Sequence, residues 1–166
     1  EWIVASRFLR EGRWLEGAFP LSPTLRGRIV GIVGLGNIGK AVARRLEGFG
    51  VSIAYHGRSA KPGVAYDFYP TLIGLAEACD VLMVIVPGGA ETRHLIDSTV
   101  LTALGPQGVL LNVSRGSVVD ENALVEALTS GRILGAGLDV FEDEPRVSQA
   151  LLDIPGLVLL PHIGSA

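Results

Sequence analysis

An α/β fold, a doubly wound parallel sheet with helices on both faces, is what this sequence predicts, on three observations. Short runs of Val, Ile and Leu recur between segments of helical spacing. The runs are continuous, as strands covered on both faces are, and do not alternate as half-exposed strands do. No repeat or low-complexity segment breaks the pattern. Strands separated by helical segments join through crossover units into a parallel sheet. At 166 residues the chain is of ordinary single-domain size and can bury a sizeable core.

In order, the charged, amphipathic start Glu1–Arg10 predicts a helix over 2–11. The run Ile29-Val30-Gly31-Ile32-Val33 predicts a strand, and Ala41, Val42, Leu46 and Phe49 at helical spacing predict a helix over 38–49, stopped by Gly50. Strands follow over 51–55, 81–86, 109–113, 135–139 and 157–160. Helical spacing fills 71–78, 98–104, 121–130 and a turn near 147–152. Asp120 suits the N-cap of the helix carrying Leu124, Val125 and Leu128, and Gly131 suits its stop.

The first strand runs into Gly34-Leu35-Gly36-Asn37-Ile38-Gly39. Among 22 glycines this G-x-G-x-x-G spacing is weak alone, but a strand before it and a helix after it make it a dinucleotide fingerprint. The first glycine permits the turn, the second lets backbone approach a pyrophosphate, and the third lets helix pack on strand. The next strand ends in His56-Gly57-Arg58-Ser59-Ala60-Lys61, with no acid about 20 positions on to accept from a ribose 2′-hydroxyl. Arg58, Ser59 and Lys61 suit a 2′-phosphate, so NADP(H) is the expected cofactor and NAD(H) the possible second. The alternative for this loop is ordinary solvated charge.

Three later strands end at Arg115, Glu144 and His162. In open α/β sheets ligands bind beyond the carboxyl ends of strands, so the three residues should converge on one crevice. An arginine fork for a carboxylate, and a histidine kept protonated by a glutamate, equip a site to reduce a 2-keto acid. Taken singly, Arg115 could lie over the sheet, Glu144 could be a first-turn helix acid, and Asp139 could cap the segment after its strand. His56 and His94 read as structural or surface residues.

Composition excludes other classes. A net charge of −3 without a polybasic stripe gives no field for nucleic acid. The 48% hydrophobic content and mean hydropathy of +0.42 are high, yet no run approaches the ~18 residues of a membrane span. The single Cys79 offers neither a disulfide framework nor a metal cluster, and a reducing cytoplasm is the expected compartment.

The chain resembles the nucleotide-binding domain of the D-isomer-specific 2-hydroxyacid dehydrogenases, with the Rossmann fold that this implies. The resemblance rests on Arg10-Glu11-Gly12-Arg13-Trp14, the glycine fingerprint, Val86-Pro87 with Thr92 and His94-Leu95-Ile96, Asn112–Asp120, Gly135–Pro145 and Pro161-His162. It implies that Arg115 binds the substrate carboxylate, that His162 is the proton donor and Glu144 its partner, and that Asp139 fixes the nicotinamide carboxamide. Around the fingerprint, the implied cofactor contacts are Gly34, Gly36, Asn37, Ile38, Arg58, Ser59 and Lys61. Across the crevice they are Val86, Pro87, Thr92, Val113, Ser114, Arg115, Asp139, His162 and Gly164.

Gly88-Gly89 stands where most members carry Leu-Thr, and with Arg58-Ser59 it is similar to the NADPH-preferring glyoxylate/hydroxypyruvate and hydroxyphenylpyruvate reductases. Glutamate rather than glutamine beside the histidine disfavours formate dehydrogenase. Phosphoglycerate- or D-lactate-type NAD enzymes and a dinucleotide-gated, corepressor-like interaction protein are the alternatives.

Little sequence precedes Ile29 and little comes after His162. The expectation is therefore a cofactor domain of a longer two-domain enzyme, the substrate domain being absent, with little turnover of its own. Residues 1–20 are expected to form an interdomain or dimerisation helix and linker, and 21–166 the dinucleotide-binding domain. A homodimer is expected, with Trp2, Phe8, Leu9 and Trp14 supplying apolar contact.

Overall fold

The computed structural model describes residues 2–20 and 24–164. Trp2's side chain and residues 165 and 166 lie outside the described residues, so the expectation for Trp2 has no structural counterpart. The elements are α1 (Trp2–Arg10), β1 (Ile29–Val33), α2 (Asn37–Leu46), β2 (Ser52–His56), β3 (Asp67–Tyr69), α3 (Leu72–Ala78), β4 (Val81–Val84), α4 (Ser98–Leu104), β5 (Val109–Asn112), α5 (Glu121–Thr129), β6 (Gly135–Leu138), α6 (Gln149–Leu152) and β7 (Val158–Leu159). None of these helices is long and apolar enough to cross a membrane.

All strands pair in parallel in the order β3-β2-β1-β4-β5-β6-β7. The chain builds outward from β1 to β3, then returns to lay β4 on β1's other side. At that reversal no crossover covers the strand ends, and a crevice opens.

Each face of the sheet has its own core. Leu75, Leu82, Leu101, Leu110 and Leu124 are fully buried in one; Val30, Ile32, Ala43, Ile53 and Tyr55 form the other. Ala43 belongs to α2, whereas Leu75, Leu101 and Leu124 belong to α3, α4 and α5. Side chains start three helices: Thr71 accepts from the Gly74 N–H, Asp97 from those of Thr99 and Val100, and Asp120 from that of Ala123.

β3 has no counterpart in the sequence reading. It is three residues long and starts on an aspartate, so no apolar run announces it. Tertiary contacts make it a strand. Phe68 packs on Tyr55 with ring centroids 5.3 Å apart, and His56 Nδ1 lies 2.9 Å from the Tyr69 carbonyl. β4 stops at Val84 rather than continuing to 86, although the Ile85 N–H still donates to Val33. Pro87 has no N–H with which to extend the ladder. The helix expected over 38–49 closes as a 3-10 turn, Glu47–Phe49, against left-handed Gly50.

One close approach joins two strand-end loops. A Cβ at Gly116 would overlap the Phe141 carbonyl group and the Glu142 nitrogen, so the 141–142 backbone lies directly on Gly116. Gly116→Ala is expected to force those loops apart at a cost of about 1–3 kcal/mol. Thermal denaturation should show a fall in Tm of roughly 3–10 °C; an unchanged Tm would mean that the loops are not in contact.

Candidate active site

The turn after β1 has the geometry of a phosphate cradle. Gly34 has φ 99°, a left-handed value, and its N–H donates to the His56 carbonyl at 3.0 Å. A Cβ at Gly39 would overlap the Gly34 carbonyl, so α2 packs tightly on the strand. A Cβ at Gly36 would meet nothing within 4 Å and would project into open space. α2 also lacks the side-chain cap that starts α3, α4 and α5. Its first N–H groups and its dipole are left for an anion, which fits the pyrophosphate of a dinucleotide.

From this turn a cleft of about 1030 Å³ runs across the strand ends. It is lined by Gly36, Asn37 and Ile38, by Val86 and Pro87, by Val113, Ser114 and Arg115, and by Phe141, Glu142 and Glu144. Sequence-expected cofactor residues from three separate loops therefore share one space with Glu144, whereas Gly34, Thr92, Asp139, His162 and Gly164 lie outside its lining.

Arg115 follows β5 in extended conformation. Buried Asn112 shapes the turn that presents it: Oδ1 accepts from the Ser114 N–H at 3.1 Å and hydroxyl at 2.7 Å, and Nδ2 donates to the Arg115 carbonyl at 3.1 Å. Sequence reading placed Asn112 in the motif without a role. Its signal was a polar residue closing an apolar strand. Gly88 leaves room for the arginine stem, since a Cβ there would lie 2.9 Å from Arg115 Cγ.

Glu144 and His162 meet from different strand ends, with Glu144 Oε2 2.8 Å from His162 Nδ1. Glu144 stands in a turn and not in a helix, so a first-turn helix acid is ruled out. The His162 hydrogen bond, with the Phe141 N–H donating to Oε1 at 3.0 Å and Arg115 nearby, holds the Glu144 carboxyl below the usual carboxylate range. With Nδ1 engaged by a carboxylate, that nitrogen carries a proton and Nε2 is left to exchange one. His162 has φ 54°, a strained left-handed value for a residue with a side chain.

Asp139 holds the segment just after His162. Its Oδ1 accepts from the Ile163 N–H at 2.9 Å and its Oδ2 from the Gly164 N–H at 2.8 Å. Thr92 donates its hydroxyl to the Pro87 carbonyl at 2.8 Å, closing the Gly88-Gly89 loop. Arg58, Ser59 and Lys61 lie exposed beyond β2, outside the lining of the cleft. That loop is anchored where the Lys61 N–H donates to the Tyr55 hydroxyl at 2.7 Å.

Residues 2–164 match the family described as D-isomer specific 2-hydroxyacid dehydrogenase, NAD binding domain. Glyoxylate/hydroxypyruvate reductase A of Arabidopsis thaliana is 50% identical over 96% of this chain and 51% of its own length. Hydroxyphenylpyruvate reductase of Plectranthus scutellarioides is 49% identical over the same shares. The crystal structure of an NADPH-dependent glyoxylate/hydroxypyruvate reductase from Sinorhizobium meliloti, in complex with NADP and malonate, superposes with a TM-score of 0.94. It is 61% identical, covering 99% of this chain and 52% of that one. The chain thus spans about half the length of the relatives it matches. With a family match over nearly every residue and the glycine turn and strand-end cleft in place, the chain belongs to the D-isomer-specific 2-hydroxyacid dehydrogenases, as their NAD-binding domain.

Proposed function

We propose that this chain is the half of an NADP(H)-preferring reductase that binds the cofactor and carries the catalytic residues, acting on a small 2-keto acid of the glyoxylate or hydroxypyruvate kind. The observation that carries the reading is that Arg115 and Glu144 line the cleft that begins at the uncapped start of α2, with His162 joined to it through its contact with Glu144. The names of the Arabidopsis and Sinorhizobium relatives support the substrate class.

A bound NADPH supplies the hydride. Gly34, Gly36, Asn37 and Ile38 would hold its pyrophosphate, and Val86, Pro87, Val113 and Ser114 wall the cleft beyond. Asp139 holds Ile163 and Gly164 in place and would face the nicotinamide carboxamide of a bound cofactor. Arg115 orients the substrate carboxylate with a paired donor fork. His162 gives the proton at Nε2 to the carbonyl oxygen while Glu144 stabilises the imidazolium from the Nδ1 side.

Arg58, Ser59 and Lys61 are proposed as the 2′-phosphate site because their loop lies beyond β2, where the adenosine ribose of a bound dinucleotide would end. Calorimetric titration should show tighter binding of NADPH than of NADH. Arg58→Ala should cost NADPH roughly 10- to 100-fold, as loss of a charge-assisted hydrogen bond does, and leave NADH unchanged. Equal affinities in the wild type would return Arg58 and Lys61 to ordinary surface charge.

A homodimer joined through residues 1–20 is also proposed. The groove of Ala5, Phe8, Leu9, Trp14 and Phe19 is almost wholly apolar, and Leu9, Trp14 and Leu15 are exposed. Sizing chromatography at micromolar concentration should give twice the monomer mass, with Leu9→Glu shifting it toward monomer; a wild-type monomer would refute the interface. We place the protein in the cytoplasm. Burial pushes its one cysteine, Cys79, up to about 12, which makes it an unreactive thiol.

A further inference from the structure

We propose that Glu142, gripped by Arg93 and His94, is a positioning residue for the Glu144–His162 pair. The inference rests on the role given to that pair above. Glu142 sits two residues before Glu144 on the turn after β6, and it is held at both ends. Its Oε1 accepts from Arg93 Nη2 at 2.7 Å and lies 3.0 Å from His94 Nε2. Its backbone N–H donates to Glu121 Oε1, in the first turn of α5, at 2.7 Å. The neighbouring Phe141 carbonyl is seated on Gly116. Phe141 in turn gives Glu144 its second hydrogen bond. The grip on Glu142 therefore sets where the Phe141 N–H points, and with it the Glu144 carboxylate.

The anchor is itself built to hold one orientation. His94 has φ 48°, and its N–H donates to the Ser117 carbonyl at 2.8 Å. Its ring lies between Glu142 on one side and Asp120 Oδ2, 3.9 Å away, on the other. Among the described residues, His94 and His162 are the only non-glycine residues with positive φ. They stand at the two ends of one chain of contacts, His94 to Glu142 to the Phe141 turn to Glu144 to His162. A lone exposed ion pair would carry little. Here one residue is gripped through both backbone and side chain by three residues, two from one loop and one from the start of α5.

The test is the pH titration of the Glu144 carboxyl, followed by carbon NMR in the protein. Glu142→Ala removes a nearby negative charge, which acting through space alone would lower the Glu144 midpoint further. Loss of position acts in the opposite direction. The expected result is a rise of about half a unit or more toward the ordinary carboxylate value. Glu142→Gln keeps an oxygen for Arg93 and His94 to grip and should keep the midpoint low. A midpoint that falls or stays put in Glu142→Ala overturns the positioning role while the Glu144–His162 pair stands. An ordinary midpoint in the wild type overturns both.

Discussion

The reversal of strand order beside β1 is the constraint on which the rest depends. Had the chain continued outward from β3, crossovers would have covered every strand end on one side. Returning to β4 leaves the ends of β1 and β4 uncovered, and the loops after β5, β6 and β7 extend the same edge. Residues far apart in sequence then become neighbours. Glycine at 34, 39 and 116 lets backbones approach where side chains would keep them apart.

Along that edge, polar side chains at strand ends organise the adjoining loops. Asn112 shapes the turn to Arg115, Asp139 ties down Ile163 and Gly164, and Glu144 takes the Phe141 N–H. A buried polar group without a partner is costly, so Asn112 and Asp139, both buried, each dictate one arrangement of their loop. Among the described residues no buried side-chain nitrogen or oxygen lacks a partner. The loops of this cleft are thus held by their own hydrogen bonds.

The sheet was legible because buried parallel strands write themselves as apolar runs and the helices as spacing. β3 was not, since three residues with an aspartate among them carry no period. The nearness of Arg115, Glu144 and His162 was expected from their places in the segments that follow strands, together with the family resemblance, and the structure brings Glu144 onto His162 and Arg115 and Glu144 into one cleft. What stayed hidden was how they are held. Asn112, the Phe141 N–H and the Arg93–Glu142–His94 grip are side-chain and backbone contacts across 3 to 49 positions, and no local spacing encodes them. The left-handed backbones of His94 and His162 were equally invisible, because histidine has no intrinsic demand for that conformation.

Geometry alone does not set the strength of the Glu144–His162 pair. Both side chains are 35% exposed, and water screens a pair in that position until its attraction is small. The same 2.8 Å contact gains strength when water is displaced, because the effective dielectric falls around it. A ligand filling the cleft along Val86, Val113 and Phe141 would bring that change as it binds. The pair is therefore held in place before binding, by Phe141 on one oxygen and His162 on the other, and becomes electrostatically strong only once the cleft is filled. The Glu144 carboxylate is thus placed to stabilise charge on His162 most when the cleft holds a carbonyl oxygen to take its proton.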